Sequence, residues 1–272
     1  MSPGPLRDIL ALCVGLLSGV LSGAIGVGGA IITTPGVRLL GASAFLAVGT
    51  TLPPIVLSAA AGTSQYMGEG LVDWGVLAAT APVGVVAVVG GSLASHHVPG
   101  NGHLLMVFTA VLLVVSAVRM GRPSTTSGSA PVGGEATAFE APEPEPSTRT
   151  YPPLAGVGVG AAAGLLSGLL GIGGGALLVP AFSEVMGLPL KTSIATSLAC
   201  VGILAVPGTI THAVLGDVDW RLALFLTLAV LPGARLGARV TIGARNRRVQ
   251  LAVAILLGAI GVFYGAGELA AL

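Results

Sequence analysis

This 272-residue chain is short of charge: only 8% of its residues are Asp, Glu, Lys or Arg. A soluble domain carries about 25%, so this chain lacks the polar surface that contact with water requires. Aromatic residues make up 4% and the net charge is +1. With neither a basic field nor an aromatic platform, nucleic-acid binding is excluded as a function class. The two cysteines, Cys13 and Cys200, lie within apolar stretches and read as small buried hydrophobes rather than as a disulfide or metal pair. Among the histidines, His96, His97 and His103 cluster in one loop without a cysteine or carboxylate beside them, so no metal site is expected. No Asp or Glu falls in the middle of an apolar run, and no nucleophile stands with a base. Catalysis, a cofactor and a carboxylate proton relay are therefore not expected, and passage of a substrate is favoured over chemistry on it.

What is present is apolar. Hydrophobic residues reach 53% and the mean hydropathy is +0.94. Several runs are long enough to cross a bilayer, which takes about 20 residues, and none shows the alternation of a transmembrane β-barrel. The chain is expected to be an all-α, polytopic membrane protein. Eight segments are predicted near 9–35, 44–67, 75–95, 103–120, 154–182, 192–214, 221–240 and 248–267. Residues 122–153, rich in Pro, Ser, Thr and Glu, cannot bury apolar surface and read as a solvated linker. This gives membrane units at 1–121 and 154–272. The first apolar run resembles a leader peptide, but an equivalent run sits mid-chain, so it is expected to be retained.

The two units are copies of each other. Leu21-Ser22-Gly23-Ala24-Ile25-Gly26-Val27-Gly28-Gly29-Ala30 returns 145 positions later as Leu166-Ser167-Gly168-Leu169-Leu170-Gly171-Ile172-Gly173-Gly174-Gly175, and Pro35 and Pro180 close the copies. Thr50-Thr51-Leu52 pairs with Thr196-Ser197-Leu198, and Gly70-Leu71-Val72-Asp73-Trp74 with Gly216-Asp217-Val218-Asp219-Trp220. A doubled unit in a membrane chain points to a function where the copies meet.

The glycines divide into two kinds. Gly15, Gly19 and Gly23 recur every fourth residue, as do Gly156, Gly160, Gly164 and Gly168, a spacing that lets a neighbouring helix approach closely. Gly26, Gly28, Gly29 and Gly171, Gly173, Gly174 are too dense for helix, since each costs about 1 kcal/mol of propensity relative to alanine. A break inside a bilayer needs protein partners or a polar cavity. Its N–H groups, with the positive end of the next helix, form a receptor for an anion. Tight helix crossings remain the alternative; a phosphate-binding loop is excluded by the missing Lys-Ser/Thr ending.

Thr50, Thr51, Thr196 and Ser197 occupy equivalent places in the second segments and are candidates to donate hydroxyls to the same anion, or to bond back to their own helices. Gln65 and Tyr66, with Thr211 and His212, read as gate or interface groups. Asp73-Trp74 and Asp219-Trp220 read as caps and headgroup anchors. Arg235, about 22 Å along a helix from Trp220, is a candidate intramembrane cation for an anionic substrate. If all eight segments span, Arg38, Lys191, Arg239, Arg245, Arg247 and Arg248 share one side, and Arg7, Arg119, Arg122, Arg149 and Arg221 the other. If the glycine motif instead makes the first segment of each copy re-entrant, the copies become inverted.

The paired Ser-Gly-x-x-Gly-x-Gly-Gly motifs, the Ala195 to Leu198 run and the Gly-x-Val-Asp-Trp starts at Gly70 and Gly216 resemble the TauE/SafE family of membrane permeases, the sulfite exporters. The resemblance spans the chain apart from the linker. It implies a secondary transporter in the cytoplasmic membrane for sulfite, thiosulfate, sulfoacetate or a related small anion. The implied substrate region is Gly26, Gly28, Gly29, Thr50 and Thr51, with Gly171, Gly173, Gly174, Thr196 and Ser197. Val48-Gly49-Thr50-Thr51 departs from the family's Ala-Thr-Ser, and Ala30 stands where the second copy has Gly175. A membrane scaffold that uses the glycine stripes to hold a partner helix is the rival reading. Homo-oligomerisation, orientation, coupling ion and direction of flux stay open.

Overall fold

The computed structural model describes residues 4–95, 97, 153–171 and 173–244, with scattered positions between 107 and 118 and between 251 and 266. Regular structure among the described residues is helical throughout. Helix α1 (Pro5–Ile25) opens on a proline, whose missing N–H is no loss in a first turn. It is followed by the short α2 (Ala30–Leu39). Helix α3 (Ala44–Gly68) starts where Ser43 Oγ accepts the Leu46 N–H at 3.3 Å. Helix α4 (Trp74–Ser95) starts where Asp73 Oδ1 accepts the Val76 N–H at 3.0 Å.

The second half repeats this order. Helix α5 (Pro153–Leu170) precedes the short α6 (Gly175–Pro180), which runs into a π-helical turn at Ala181–Val185. Helix α7 (Leu190–Leu215) follows, and then α8 (Trp220–Gly243), where Asp219 Oδ1 accepts the Leu222 N–H at 3.1 Å. The capping role expected of both aspartates is what the structure shows. Among the described residues, five helices, α1, α3, α4, α7 and α8, are long and apolar enough to cross a membrane. The fourth and eighth predicted segments, and the linker, lie largely or wholly outside the described residues; the described positions in those two segments are helical.

The four-residue glycine spacing sets how the helices run. Gly15 abuts Leu226, Gly19 abuts Val230 and Gly23 abuts Ala234, so α1 and α8 are parallel. Gly160 against Thr80, Gly164 against Gly84 and Gly168 against Val88 make α5 parallel to α4. Each first helix therefore packs on the third long helix of the other half. Between these pairs α3 and α7 run antiparallel, with Gly62 on Leu198, Gly202 on Ala59 and Gly208 facing Leu52. Outward residues such as Leu17, Val86 and Leu224 are exposed, whereas Tyr66, Phe182, Leu52 and Ile55 are fully buried. That is the inside-out balance of a lipid-facing bundle.

Helix α2 turns back along α1, because Gly29 lies at Ser18 and Gly36 at Val14. Val37 and Leu40 consequently join Ala11 and Leu222 in one cluster. Arg38 thus ends beside the starts of α1 and α8, with Arg7 and Arg221. The eight-span assignment had placed it with Lys191 and Arg239. Both cysteines are free; Cys200 is buried as expected, whereas Cys13 is exposed on the outward face of α1.

Candidate functional site

The site begins with backbone geometry. Helix α1 stops because Gly26 adopts φ 76° and donates its N–H to Ser22 O at 2.9 Å. Gly171 adopts φ 64° and donates to Ser167 O at the same 2.9 Å. Gly28 and Gly173 both sit at φ 75°, a conformation that L side chains reach only with strain. Gly29 O then accepts the first α2 amides, from Ile32 at 3.1 Å and Thr33 at 3.2 Å. Gly174 O accepts from Leu177 and Leu178, both at 3.1 Å.

These two turns meet. A Cβ on Gly28 would strike Val201 Cγ1 at 2.5 Å, and one on Gly173 would strike the same atom at 2.8 Å; Ile55 is the next neighbour of both. A Cβ on Gly175 would reach Val27 Cα at 2.5 Å. Ile55 and Val201 occupy equivalent places in the two halves, at the crossing of α3 and α7. The turns therefore lie back to back on that crossing, in the middle of the bundle. Ile172 lies outside the described residues.

Carbonyls and amides are treated differently at the turns. Ser197 Oγ donates to Gly26 O at 2.8 Å, and Thr51 Oγ1 donates to Gly171 O at 3.3 Å and to Val48 O at 2.9 Å. Ser18 Oγ donates to Gly29 O at 2.7 Å. Each half thus sends a hydroxyl from its long central helix to the glycine turn of the other. The N–H groups of Val27, Gly28, Gly29, Gly173 and Gly174 meet no acceptor among the described residues, although Val27, Gly28, Gly29, Gly173 and Gly174 are buried. Buried amides without partners are uncommon and costly. Here they are gathered at the starts of α2 and α6, where the helix dipole adds positive potential.

Not every residue expected at the site is there. Thr50 Oγ1 accepts the Asp219 N–H at 2.9 Å, and Thr196 Oγ1 accepts the Asp73 N–H at 2.9 Å. These threonines tie the long central helices to the starts of α8 and α4, and make no hydrogen bond to the turns among the described residues. Adjacent residues on a helix point about 100° apart, which is why each hydroxyl pair divides in this way. Arg235 is exposed on the outer face of α8, apart from the glycines. Beside the first turn lies a small apolar recess lined by Leu21, Ser22, Ile25, Val27, Gly29, Ile31 and Ile32.

Other contributors carried weak signals. Ser18 was one serine among many. Ile55 and Val201 are ordinary hydrophobes, marked only by their matched positions. Tyr66 and His212, expected as gate or interface groups, both reach the end of a first helix. Tyr66 Oη donates to Gly23 O at 2.6 Å, and His212 Nε2 lies 3.2 Å from Gly168 O.

The sequence is similar to proteins already known. The profile of the family described as Sulfite exporter TauE/SafE matches residues 11–264. A probable membrane transporter protein of Bacillus subtilis, YunE, is 26% identical over 271 residues, covering 93% of this chain and 95% of the relative. A probable membrane transporter protein of Xylella fastidiosa is 28% identical over 231 residues, covering 84% and 83%. MamO of Magnetospirillum gryphiswaldense, also named a probable membrane transporter protein, is 28% identical over 275 residues, covering 93% of this chain and 43% of its own length. No solved structure matches the chain significantly.

Proposed function

This chain belongs to the TauE/SafE sulfite exporter family and is a multi-pass membrane transporter, and we propose that its cargo is a small anion, sulfite or a related sulfur oxyanion or organosulfonate, carried across the cytoplasmic membrane by alternating access. The observation that carries the proposal is the pair of glycine turns with carbonyls held by hydroxyls and amides that meet no acceptor among the described residues. An anion needs donors and is repelled by carbonyl oxygen; this arrangement presents the first and withdraws the second. Gly28, Gly29, Gly173 and Gly174 supply the amides, Gly26 and Gly171 set the turns, and Thr51 and Ser197 hold them. Thr50 and Thr196 brace the central helices, and Arg235 stands outside this site.

The mechanism follows from the packing. We read 1–121 and 154–272 as inverted repeats joined by the linker 122–153. The antiparallel run of α3 and α7 through Ile55 and Val201 supports an axis in the membrane plane. Helices α1–α2 and α5–α6 are then re-entrant hairpins entering from opposite faces, with their glycine tips touching at the midplane. Ile55 and Val201 fill the centre, as befits a closed state. Sliding of the α3–α7 crossing would expose the tips to one face and then the other. The scaffold reading loses its main support, because the glycine stripes of α1 and α5 are occupied by α8 and α4 of the same chain.

Uptake of radiolabelled sulfite by proteoliposomes tests the proposal, with thiosulfate, sulfoacetate and sulfate as competitors. The expected result is saturable uptake with selective competition. Folded protein that moves none of these anions under any ion gradient would remove the sulfur-anion assignment.

A further inference from the structure

The halves differ at one buried place. Where the first half has Tyr66 and Leu71, the second has His212 and Asp217 in the matching positions. The first pair is neutral; the second is ionisable, with His212 fully buried and Asp217 8% exposed. His212 Nδ1 lies 3.1 Å from Asp217 Oδ2, and Nε2 lies 3.2 Å from Gly168 O. A carbonyl oxygen only accepts, so Nε2 carries a hydrogen. A hydrogen is also required between Nδ1 and the carboxyl group, whether it belongs to an imidazolium or to a carboxylic acid. The pair thus holds one proton more than a neutral ring beside a carboxylate.

We infer that His212 and Asp217 form a proton-binding site that couples the transporter to the proton gradient. The inference rests on the transport reading above. Gly168 lies one turn before the second glycine turn, and its neighbour Ser167 receives the Gly171 N–H on its carbonyl at 2.9 Å. Loss of the shared proton leaves two lone pairs facing each other at Nδ1 and the carboxylate. The ring then separates from Asp217 or from Gly168, and the end of α5 is released from α7. Proton occupancy and closure of the second turn are in this way one event. Tyr66, whose phenol keeps its bond to Gly23 O, makes the same closure in the first half without a proton.

Among the described residues, the helices packed around the pair bring few ionisable groups. Helices α4 and α5 carry no ionisable side chain, and α3 contributes only Tyr66, at its far end. At the start of α8, Asp219 pairs with Arg7 at 3.0 Å and Arg221 with Asp8 at 2.7 Å. Exposed His97, beyond α4, turns its Nδ1 to Leu93 O at 3.2 Å.

The test uses the full chain, with His212→Tyr and Asp217→Asn. His212→Tyr installs the residue of the matching position, which retains a donor for Gly168 O. In protein labelled with nitrogen-15 at histidine, His212 is identified by its absence from the His212→Tyr spectrum. Its ring signals should shift in one step as the pH is raised, and that step should vanish in Asp217→Asn. In proteoliposomes with an inward proton gradient of one pH unit, wild type should accumulate sulfite about tenfold, protein-free vesicles being subtracted. His212→Tyr should equilibrate sulfite without accumulating it. Equal accumulation by wild type and His212→Tyr would overturn the coupling. If wild type moves no sulfite, the substrate assignment fails, and the spectra still decide the proton site: a ring that does not respond to Asp217→Asn overturns it.

Discussion

Gly28 and Gly173 show how a single residue type creates a site by what it leaves out. Each is held at φ 75° against the same valine, so alanine is refused twice, by backbone conformation and by contact. Neighbouring hydroxyls offer a finer test. Ser22 Oγ donates to Ser58 Oγ at 3.3 Å, whereas its counterpart Ser167 has a buried oxygen with no partner. The reason is local: Leu204 stands where the first half has Ser58. Ser22→Ala should therefore lower stability by about 1 kcal/mol, while Ser167→Ala should be neutral or stabilising. Thermal unfolding in detergent measures both. The sequence announced the glycines through their density and their doubling. It did not separate Thr51 from Thr50, because their distinction depends on which helix lies on each side.

Helix pairing follows the same logic at larger scale. The stripes at Gly15-Gly19-Gly23 and Gly160-Gly164-Gly168 were legible as close-packing faces, since a four-residue period leaves few other uses. Which helix fills each stripe was not legible, because an apolar helix matches any apolar neighbour. A Cβ on Gly19 would overlap the backbone of Val230, and one on Gly237 that of Val20, whereas Gly90 and Gly158 have open space. Gly19→Ala should force α1 from α8 and cost about 1–3 kcal/mol. Gly90→Ala should gain up to about 1 kcal/mol of helix propensity. Unfolding midpoints of the two variants, compared in one detergent, should move in opposite directions. A helix after the glycine break is expected from the sequence, but whether it runs on from α1 or turns back is left open there. Its apolar residues continue the run of α1, and only the turn at Gly26 to Gly29 reverses the chain.

For the whole molecule, the balance of positive charge left topology open, and the return of α2 decides where Arg38 lies. A cysteine at Arg38 should react with an impermeant reagent from the same side as one at Arg221, and a cysteine at Gln65 from the opposite side. Cys13→Ala and Cys200→Ala provide the background. Labelling of positions 38 and 65 from one common side would contradict the hairpin. The class of the molecule was readable from its shortage of charge, and its family from the doubled motif. The meeting of the two glycine turns was not, because it depends on how α3 and α7 cross. The central claim is that these turns receive the transported anion, and sulfite uptake by proteoliposomes containing Gly28→Ala, Gly173→Ala or both tests it most directly. We predict saturable uptake by wild type, reduced at least about tenfold in each single variant and abolished in the double variant, with all proteins monodisperse. Undiminished uptake by the double variant would contradict the account.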